Sequence, residues 1–201
     1  MIVTAITGAS GSILGIRLIE ELLNSGERVV AIVSETAWRI IGCEVSHNKE
    51  NYTSLKELLM YRGVAQGLDH FHEYDNKDLF SPVASGSTSF EAMVVIPCSM
   101  KTLASISHGY ADSLISRACD VAIKEKRRCI IVPRETPMSI IHLENMYKAG
   151  LAGVDVVPPV PGFYTHPRSI DDVIDFVIGR ILNLLGKEHA LFKSWGNVGL
   201  S

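Results

Sequence analysis

The stretch Met93–Thr102, which reads MVVIPCSMKT, constrains the fold more than any other part of the chain. Its first half is a short apolar run rich in β-branched residues, a pattern typical of a strand buried on both faces of a parallel sheet. Its second half supplies hydroxyls and a lysine directly before a helical pattern. Unpaired N–H groups and the helix dipole favour anions at such a helix start. The stretch predicts an α/β domain in which this loop forms one half of a binding site for a phosphorylated cofactor. The alternative is a well-capped strand-to-helix connection without a ligand.

Two other strand patterns end in polar residues. Ile2–Thr7 leads into the glycine-rich segment Gly8–Gly15, which permits a tight turn and close approach of a ligand to the backbone. Arg28–Val33 delivers Ser34 to the carboxyl edge of the sheet, where open α/β sheets bind ligands. The glycine spacing is neither G-x-G-x-x-G nor G-x-S-x-G, so it gives weak support to a dinucleotide site and none to a hydrolase. A phosphate or ribityl group fits better, and a purely structural loop stays open.

Two cations lie seven positions apart on a helix predicted over 112–125. Because seven residues span two turns, Arg117 and Lys124 lie on the same face of that helix. The pair could converge on a phosphate or belong to a solvated face. A further run of charged residues follows Lys124 and can serve as the solvent-exposed end of the helix. This favours the interpretation that Arg117 and Lys124 bind a phosphate.

Arg134 and Glu135 follow the strand pattern Arg128–Val132 and lie between Pro133 and Pro137. The prolines fix the backbone, which gives a rigid mount at the carboxyl end of a strand. An arginine can bind an anion while a neighbouring glutamate moves a proton. The pattern therefore favours a functional pair over a structural ion pair.

The C-terminal part begins with the stiff apolar segment 158–164, and a helix is predicted over Ile170–Leu185. The segment could line a site for an apolar substrate or serve as a rigid connector. Arg180 lies close to the apolar stripe of the helix, so we expect it to be partnered or aimed inward. We expect the tail 186–201, which carries Trp195, to pack on a neighbouring subunit.

Composition narrows the class of protein. A chain of 201 residues with 47% hydrophobic content and a net charge of -3 predicts one soluble domain, placed at 1–185, without a nucleic-acid footprint. The apolar runs are shorter than a membrane span, and the start does not resemble a signal peptide. The 4 cysteines lack C-x-x-C pairing, which indicates reduced cytoplasmic thiols rather than disulfides or zinc ligands.

Five motifs together resemble those of the flavin prenyltransferases, the UbiX family, whose members are also described as aryl-acid decarboxylase subunits. The motifs occur in the family's order between residues 2 and 185. Two positions depart from the family pattern, because Leu14 takes the place of a usual Tyr and Gly162 that of a usual Ala. The motifs are Gly8-Ala9-Ser10-Gly11, Pro97-Cys98-Ser99-Met100-Lys101-Thr102, Arg117 with Lys124-Glu125, Arg134-Glu135-Thr136-Pro137 and Pro161-Gly162-Phe163-Tyr164.

The resemblance implies a flavodoxin-like, Rossmann-like doubly wound parallel sheet in three layers, assembled as a dodecamer with FMN held between subunits. The FMN-binding residues that it implies are Gly8, Ala9, Ser10, Ser34, Ser99, Met100, Lys101, Thr102 and Arg134. The residues implied to bind dimethylallyl phosphate are Arg117, Lys124, Tyr164 and Arg180, with Glu135 beside them. The implied catalytic residues are Glu135, Lys124, Ser10 and Glu44.

The implied reaction transfers a dimethylallyl group to N5 and C6 of reduced FMN, and the product serves a UbiD-type decarboxylase. Fixed cations at the departing phosphate and an apolar wall around the allylic carbon would assist it without a metal, with Glu135 handling the proton. One alternative is a flavin-dependent decarboxylase of the cysteine-oxidising type, whose P-x-M-N-x-x-M motif this chain lacks. Another is a flavodoxin-like FMN carrier, which would not need a second anion site.

Overall fold

The computed structural model describes residues 1–45, 52–193 and 195, which form strands joined by helices and, between two of them, by a 3₁₀ turn alone. The strands are β1 (Ile2–Ile6), β2 (Val29–Val33), β3 (Phe71–Asp75), β4 (Ala92–Cys98), β5 (Arg128–Pro133) and β6 (Asp155–Val156). The helices are α1 (Ser12–Asn24), α2 (Glu35–Glu44), α3 (Leu55–Tyr61), α4 (Met100–Ser107), α5 (Leu114–Lys124), α6 (Ile140–Leu151) and α7 (Ile170–Leu184). Every strand predicted from an apolar run is present within one or two residues of its expected ends.

The six strands form one parallel sheet in the order β3-β2-β1-β4-β5-β6. From β1 the chain builds outward through β2 and β3, then returns to the other side of β1 and continues with β4. The point where the order reverses therefore lies between β1 and β4, and ligands of open α/β sheets bind beyond the carboxyl ends of the strands at such a point. The predicted doubly wound sheet is confirmed, with the six-strand order of Rossmann folds.

Helices cover both faces of the sheet. Alternate side chains of the central strands, such as Val3 and Val95, form a buried cluster with Leu114 of α5. On the opposite face α1 approaches β1 and β4 so closely that a Cβ on Gly15 would lie 2.4 Å from the carbonyl oxygen of Ile96. Gly15 is thus required by packing, because any larger residue would push α1 off the sheet.

The chain forms two compact units, Met1–Pro158 and Pro159–Ser201. The first contains the sheet and helices α1 to α6, and the second contains a 3₁₀ turn (Phe163–Thr165), α7 and the described part of the tail. The domain boundary expected at residue 185 stays a prediction, and tail residues 194 and 196–201 lie outside the described residues. No helix in the described ranges is long and apolar enough to cross a membrane.

Candidate functional site

Hydrogen bonds hold the loops at the carboxyl edge of the sheet in register. The Thr7 hydroxyl donates to the carbonyl of Pro97 over 2.7 Å and accepts the N–H of Ser99 over 2.8 Å. The N–H of Arg134 donates to the carbonyl of Cys98 over 3.2 Å. These hydrogen bonds join the carboxyl ends of β1, β4 and β5. The polar loops that follow the three strands therefore lie next to one another at the edge of the sheet.

A cavity of about 560 Å³ opens at this edge. That volume lies within the range of small-molecule and cofactor sites, about 300 to 1,000 Å³. Eight of the nine residues predicted to bind FMN line it, all except Ser10. Those eight are Gly8, Ala9, Ser34, Ser99, Met100, Lys101, Thr102 and Arg134, and Glu135 joins them.

The N-terminus of α4 is open toward this cavity. Ser99 caps the helix, because its hydroxyl oxygen accepts the N–H of Thr102 over 3.3 Å. The N–H groups of Met100 and Lys101 have no acceptor among the described residues, and the Lys101 ammonium forms no ion pair there. Two free N–H groups, the positive end of the helix dipole and an unpaired ammonium make this the part of the cavity best suited to a phosphate.

The N-terminus of α1 is closed by the protein's own carboxylate. Glu44, at the end of α2, accepts the N–H of Gly11 over 3.0 Å, the N–H of Ser12 over 3.1 Å and the Ser12 hydroxyl over 2.8 Å. Burial raises the pKa of Glu44, but hydrogen bonds from the Ser10 and Ser12 hydroxyls and from both N–H groups outweigh it, so the pKa is lowered. The glycine-rich loop therefore lines the cavity through Gly8, while the helix behind it already holds an anion.

Ser10 and Glu44 line a second cavity of about 420 Å³. This second cavity shares Gly8, Ala9 and Arg134 with the larger one. Ser10 was predicted both to bind cofactor and to act in catalysis, and only the second cavity contains it. The hydrogen-bonded pair of Ser10 and Glu44 thus lies beside the larger cavity rather than within it.

Arg134 and Glu135 both line the larger cavity but do not bind one another among the described contacts. The Arg134 Nε donates to the carbonyl of Ser10 over 3.1 Å, and the Glu135 Oε1 accepts the N–H of Thr136 over 3.0 Å. The alternative of a structural ion pair between the two is therefore wrong. The terminal nitrogens of Arg134 and the second carboxyl oxygen of Glu135 thus have no partner among the described residues.

Several residues that line the cavity, all but one of them polar, escaped the sequence analysis. Asn76 follows β3 and accepts the N–H of Leu114 on its carbonyl over 2.8 Å and that of Ile115 on its side chain over 3.1 Å. The first turn of α5 is therefore closed internally. Asn76 lies in a region without clear periodicity, and its position directly after a strand was the only available signal. The other missed residues are Thr36, Ser105, Asp112, Ser113, Ile115 and Ser116.

Arg117 and Lys124 lie on one face of α5, as predicted, but that face contacts the segment 84–86 instead of the cavity. The Arg117 Nε donates to the carbonyl of Ala84 over 3.0 Å, and Arg117 pairs with Asp120. The Lys124 ammonium pairs with Glu125 and lies against Gly86. Within its own chain, neither cation reaches the residues that line the cavity.

Tyr164 and Arg180 belong to the second unit. The Tyr164 ring packs edge-on against Phe176 and Trp195, with centroid distances of 5.8 and 5.0 Å. Arg180 is exposed on α7 and has no ion pair among the described residues. The expectation that Arg180 is aimed inward is therefore wrong, because position 180 lies just outside the buried stripe of the helix, and a partner from its own chain is not among the described contacts.

The residues around the larger cavity fit a phosphorylated flavin. The open start of α4 suits a terminal phosphate, the hydroxyls of Ser34 and Thr36 suit a polyol chain, and the volume suits a fused ring system. No group of three or more side chains in the described ranges is arranged to hold a metal ion. The arrangement can bind an anionic ligand close to two carboxylates, Glu44 and Glu135, one of whose oxygens has no donor among the described residues.

Known proteins resemble the chain over nearly its full length. The Flavoprotein family profile matches residues 1–182. The flavin prenyltransferase UbiX of Methanocaldococcus jannaschii is 47% identical over 98% of this chain and 99% of its own length. The crystal structure of AnUbiX (PadA1) in complex with FMN and dimethylallyl pyrophosphate has a TM-score of 0.85 and 39% identity, covering 96% of each chain. A dodecameric FMN-dependent UbiX-like decarboxylase from Escherichia coli O157:H7 has a TM-score of 0.84 and 38% identity, covering 96% of this chain and 98% of that one.

Proposed function

The chain belongs to the UbiX family of flavin prenyltransferases, and we propose that its cavity of about 560 Å³, the larger of the two described above, binds FMN with the phosphate at the start of α4. The observation that carries the proposal is the contrast between two helix starts. The N–H groups of Met100 and Lys101 lack acceptors, whereas those of Gly11 and Ser12 already bind Glu44. Ser34 and Arg134 lie on the same wall and would hold the ribityl chain and the flavin.

The proposed reaction transfers a dimethylallyl group from dimethylallyl phosphate to the flavin. Reduced FMN, when bound, supplies the nucleophilic atoms N5 and C6. Glu44 stays ionised because its hydrogen bonds lower its pKa, so its charge stabilises the allylic cation that develops as the phosphate departs. Glu135, on the carboxyl oxygen that Thr136 does not occupy, would take the proton lost from C6 and return it to the double bond of the dimethylallyl group, which is consumed when the second bond forms.

The phosphate of the donor is bound, in this proposal, by Arg117, Lys124, Tyr164 and Arg180. Fixed cations stabilise the charge that builds on the leaving oxygen without a metal ion. Arg117 and Lys124 contact the segment 84–86 and not the cavity of their own chain. We therefore infer that a second copy supplies them, in an assembly like the dodecamer of the Escherichia coli relative, with FMN between subunits.

Three further parts of the proposal concern the enzyme that uses the product, the location of the protein and the form of the donor. The prenylated flavin would serve a UbiD-type decarboxylase, since a modified cofactor needs an enzyme that uses it. A cytoplasmic location rests on the free cysteines, of which three are buried thiols. The donor is a dimethylallyl monophosphate or diphosphate, and comparison of the two in one assay decides between them.

The mass of the flavin released after anaerobic incubation with reduced FMN and dimethylallyl phosphate tests the proposed reaction. A gain of one five-carbon unit is the expected result. Unmodified FMN recovered from protein that binds it would contradict the reaction and favour an FMN carrier.

Glu135→Gln tests the proton-handling role. The variant should bind FMN normally, because the amide keeps the contact with Thr136, yet lose product formation by about 10²-fold or more. The matched control is Glu144→Gln on α6, which changes an exposed carboxylate and should leave turnover unaltered. Full turnover by Glu135→Gln would remove Glu135 from the mechanism.

Complementation between two inactive variants tests the shared site. Lys124→Ala and Glu135→Gln should each be inactive alone, and activity should return when the two are unfolded together and refolded as mixed assemblies. A mixture that stays inactive, while refolded wild-type protein recovers, would place both residues in one subunit's site.

A further inference from the structure

Gly162 lies where a side chain would collide with an aromatic ring. A Cβ built on Gly162 would lie 2.4 Å from the Cζ of Phe176 and within 2.9 Å of two further ring carbons. Real Cβ atoms do not approach other atoms so closely, so the Phe176 ring occupies the volume that a methyl group at 162 would need. The Phe176 ring thus explains why this chain has Gly162 where the family usually has Ala.

The Phe176 ring in turn supports Tyr164. The Tyr164 and Phe176 rings meet edge-on at 85° with centroids 5.8 Å apart, and the Trp195 ring also meets Tyr164 edge-on, at 87° and 5.0 Å. Edge-to-face pairs of this kind are each worth about 0.5–1.5 kcal/mol beyond the area they bury. Tyr164 therefore packs against two rings, and its orientation depends in part on where Phe176 lies.

A second glycine takes part in the same arrangement. A Cβ on Gly179, on α7, would lie 2.5 Å from the Phe192 ring and 2.6 Å from His189. Phe192 packs against Phe176 with centroids 4.9 Å apart. Absent side chains at two positions thus let the rings lie close to the backbone and to each other.

We propose that Gly162 is a positioning residue for the donor phosphate, because its missing side chain seats Phe176 and thereby orients Tyr164. The inference rests on the proposed function, in which the Tyr164 hydroxyl binds that phosphate. Gly162 does not touch the donor in this account. A methyl group at 162 displaces the Phe176 ring, and the Tyr164 ring follows because it loses one of its two supports.

Gly162→Ala tests the proposal when its effect is measured in two backgrounds. In otherwise wild-type protein the KM for dimethylallyl phosphate should rise about tenfold, the cost of losing one hydrogen bond to a charged phosphate, with kcat little changed. In a Tyr164→Phe background the same substitution should change KM less than about twofold, because the hydroxyl through which Gly162 acts is gone. The Kd for FMN should stay unchanged in both.

The matched control is Gly150→Ala, a helical glycine whose Cβ would meet nothing within 4 Å. Equal rises in KM in both backgrounds, or no rise beyond that of the control, would overturn the proposal. If Gly162→Ala fails to fold, Phe176→Leu removes the same support without adding bulk, and it should show the same dependence on Tyr164. A wild-type protein that transfers no five-carbon unit would instead defeat the proposed function itself.

Discussion

The starts of α1 and α4 look alike in the sequence but differ in the fold. Each follows a central strand through a short polar loop, and each could bind an anion. The start of α1 is filled by Glu44, whereas the start of α4 leaves the N–H groups of Met100 and Lys101 without acceptors among the described residues. The difference teaches that a loop motif supplies the donors, while a distant residue decides whether a ligand can use them.

The largest expected effect concerns how α1 is held. Gly15→Ala would place a Cβ 2.4 Å from the Ile96 carbonyl and 2.7 Å from the Ile6 side chain, neither of which can move far. We expect a loss of about 3 kcal/mol or more in the free energy of unfolding, measured by urea denaturation. Gly150→Ala, in open space, should lose nothing. Wild-type stability in Gly15→Ala would contradict the packing role. It would instead favour the interpretation that Gly15 allows a ligand to approach the backbone.

The next effect comes from giving α4 the carboxylate that α1 has. Ser99→Asp keeps a good N-cap, so stability should change by less than about 0.5 kcal/mol. The added charge should repel the phosphate and raise the Kd for FMN about 100-fold, measured by calorimetric titration. The matched control is Ser139→Asp, which changes the N-cap of α6 in the same way. Unaltered FMN binding by Ser99→Asp would place the phosphate elsewhere.

The smallest effect concerns Glu44 and depends on pH. The folded pKa of Glu44 is lowered from its ordinary value of 4.5, so its contribution to stability is present above that pH and lost as pH falls through the folded pKa. Glu44→Gln should therefore cost less than about 1 kcal/mol near neutral pH after allowance for solvent screening. The difference from wild type should vanish in acid. Urea denaturation at several pH values checks this, and a difference independent of pH would exclude the charge as its cause.

The sequence predicted most of the fold, because apolar runs of β-branched residues mark buried parallel strands directly. It also predicted most of the cavity wall, since residues after the strands meet at one edge. It could not predict that Glu44 closes α1, because the hydrogen bond to Gly11 spans 33 positions and no local pattern encodes it. The inward orientation of Arg180 was wrong for a related reason, because the residues on both sides of it, Gly179 and Ile181, are buried and the sequence pattern does not show that the residue between them is exposed.

The central claim is that the flavin phosphate binds at the open start of α4. The ratio of the Kd for riboflavin to that for FMN measures the phosphate contribution directly, because the two ligands differ only in that group. We predict that Lys101→Ala lowers this ratio about tenfold and that Ser12→Ala, at the closed start of α1, leaves it unchanged. A ratio that falls in Ser12→Ala but is unchanged in Lys101→Ala would contradict binding of the phosphate at the start of α4.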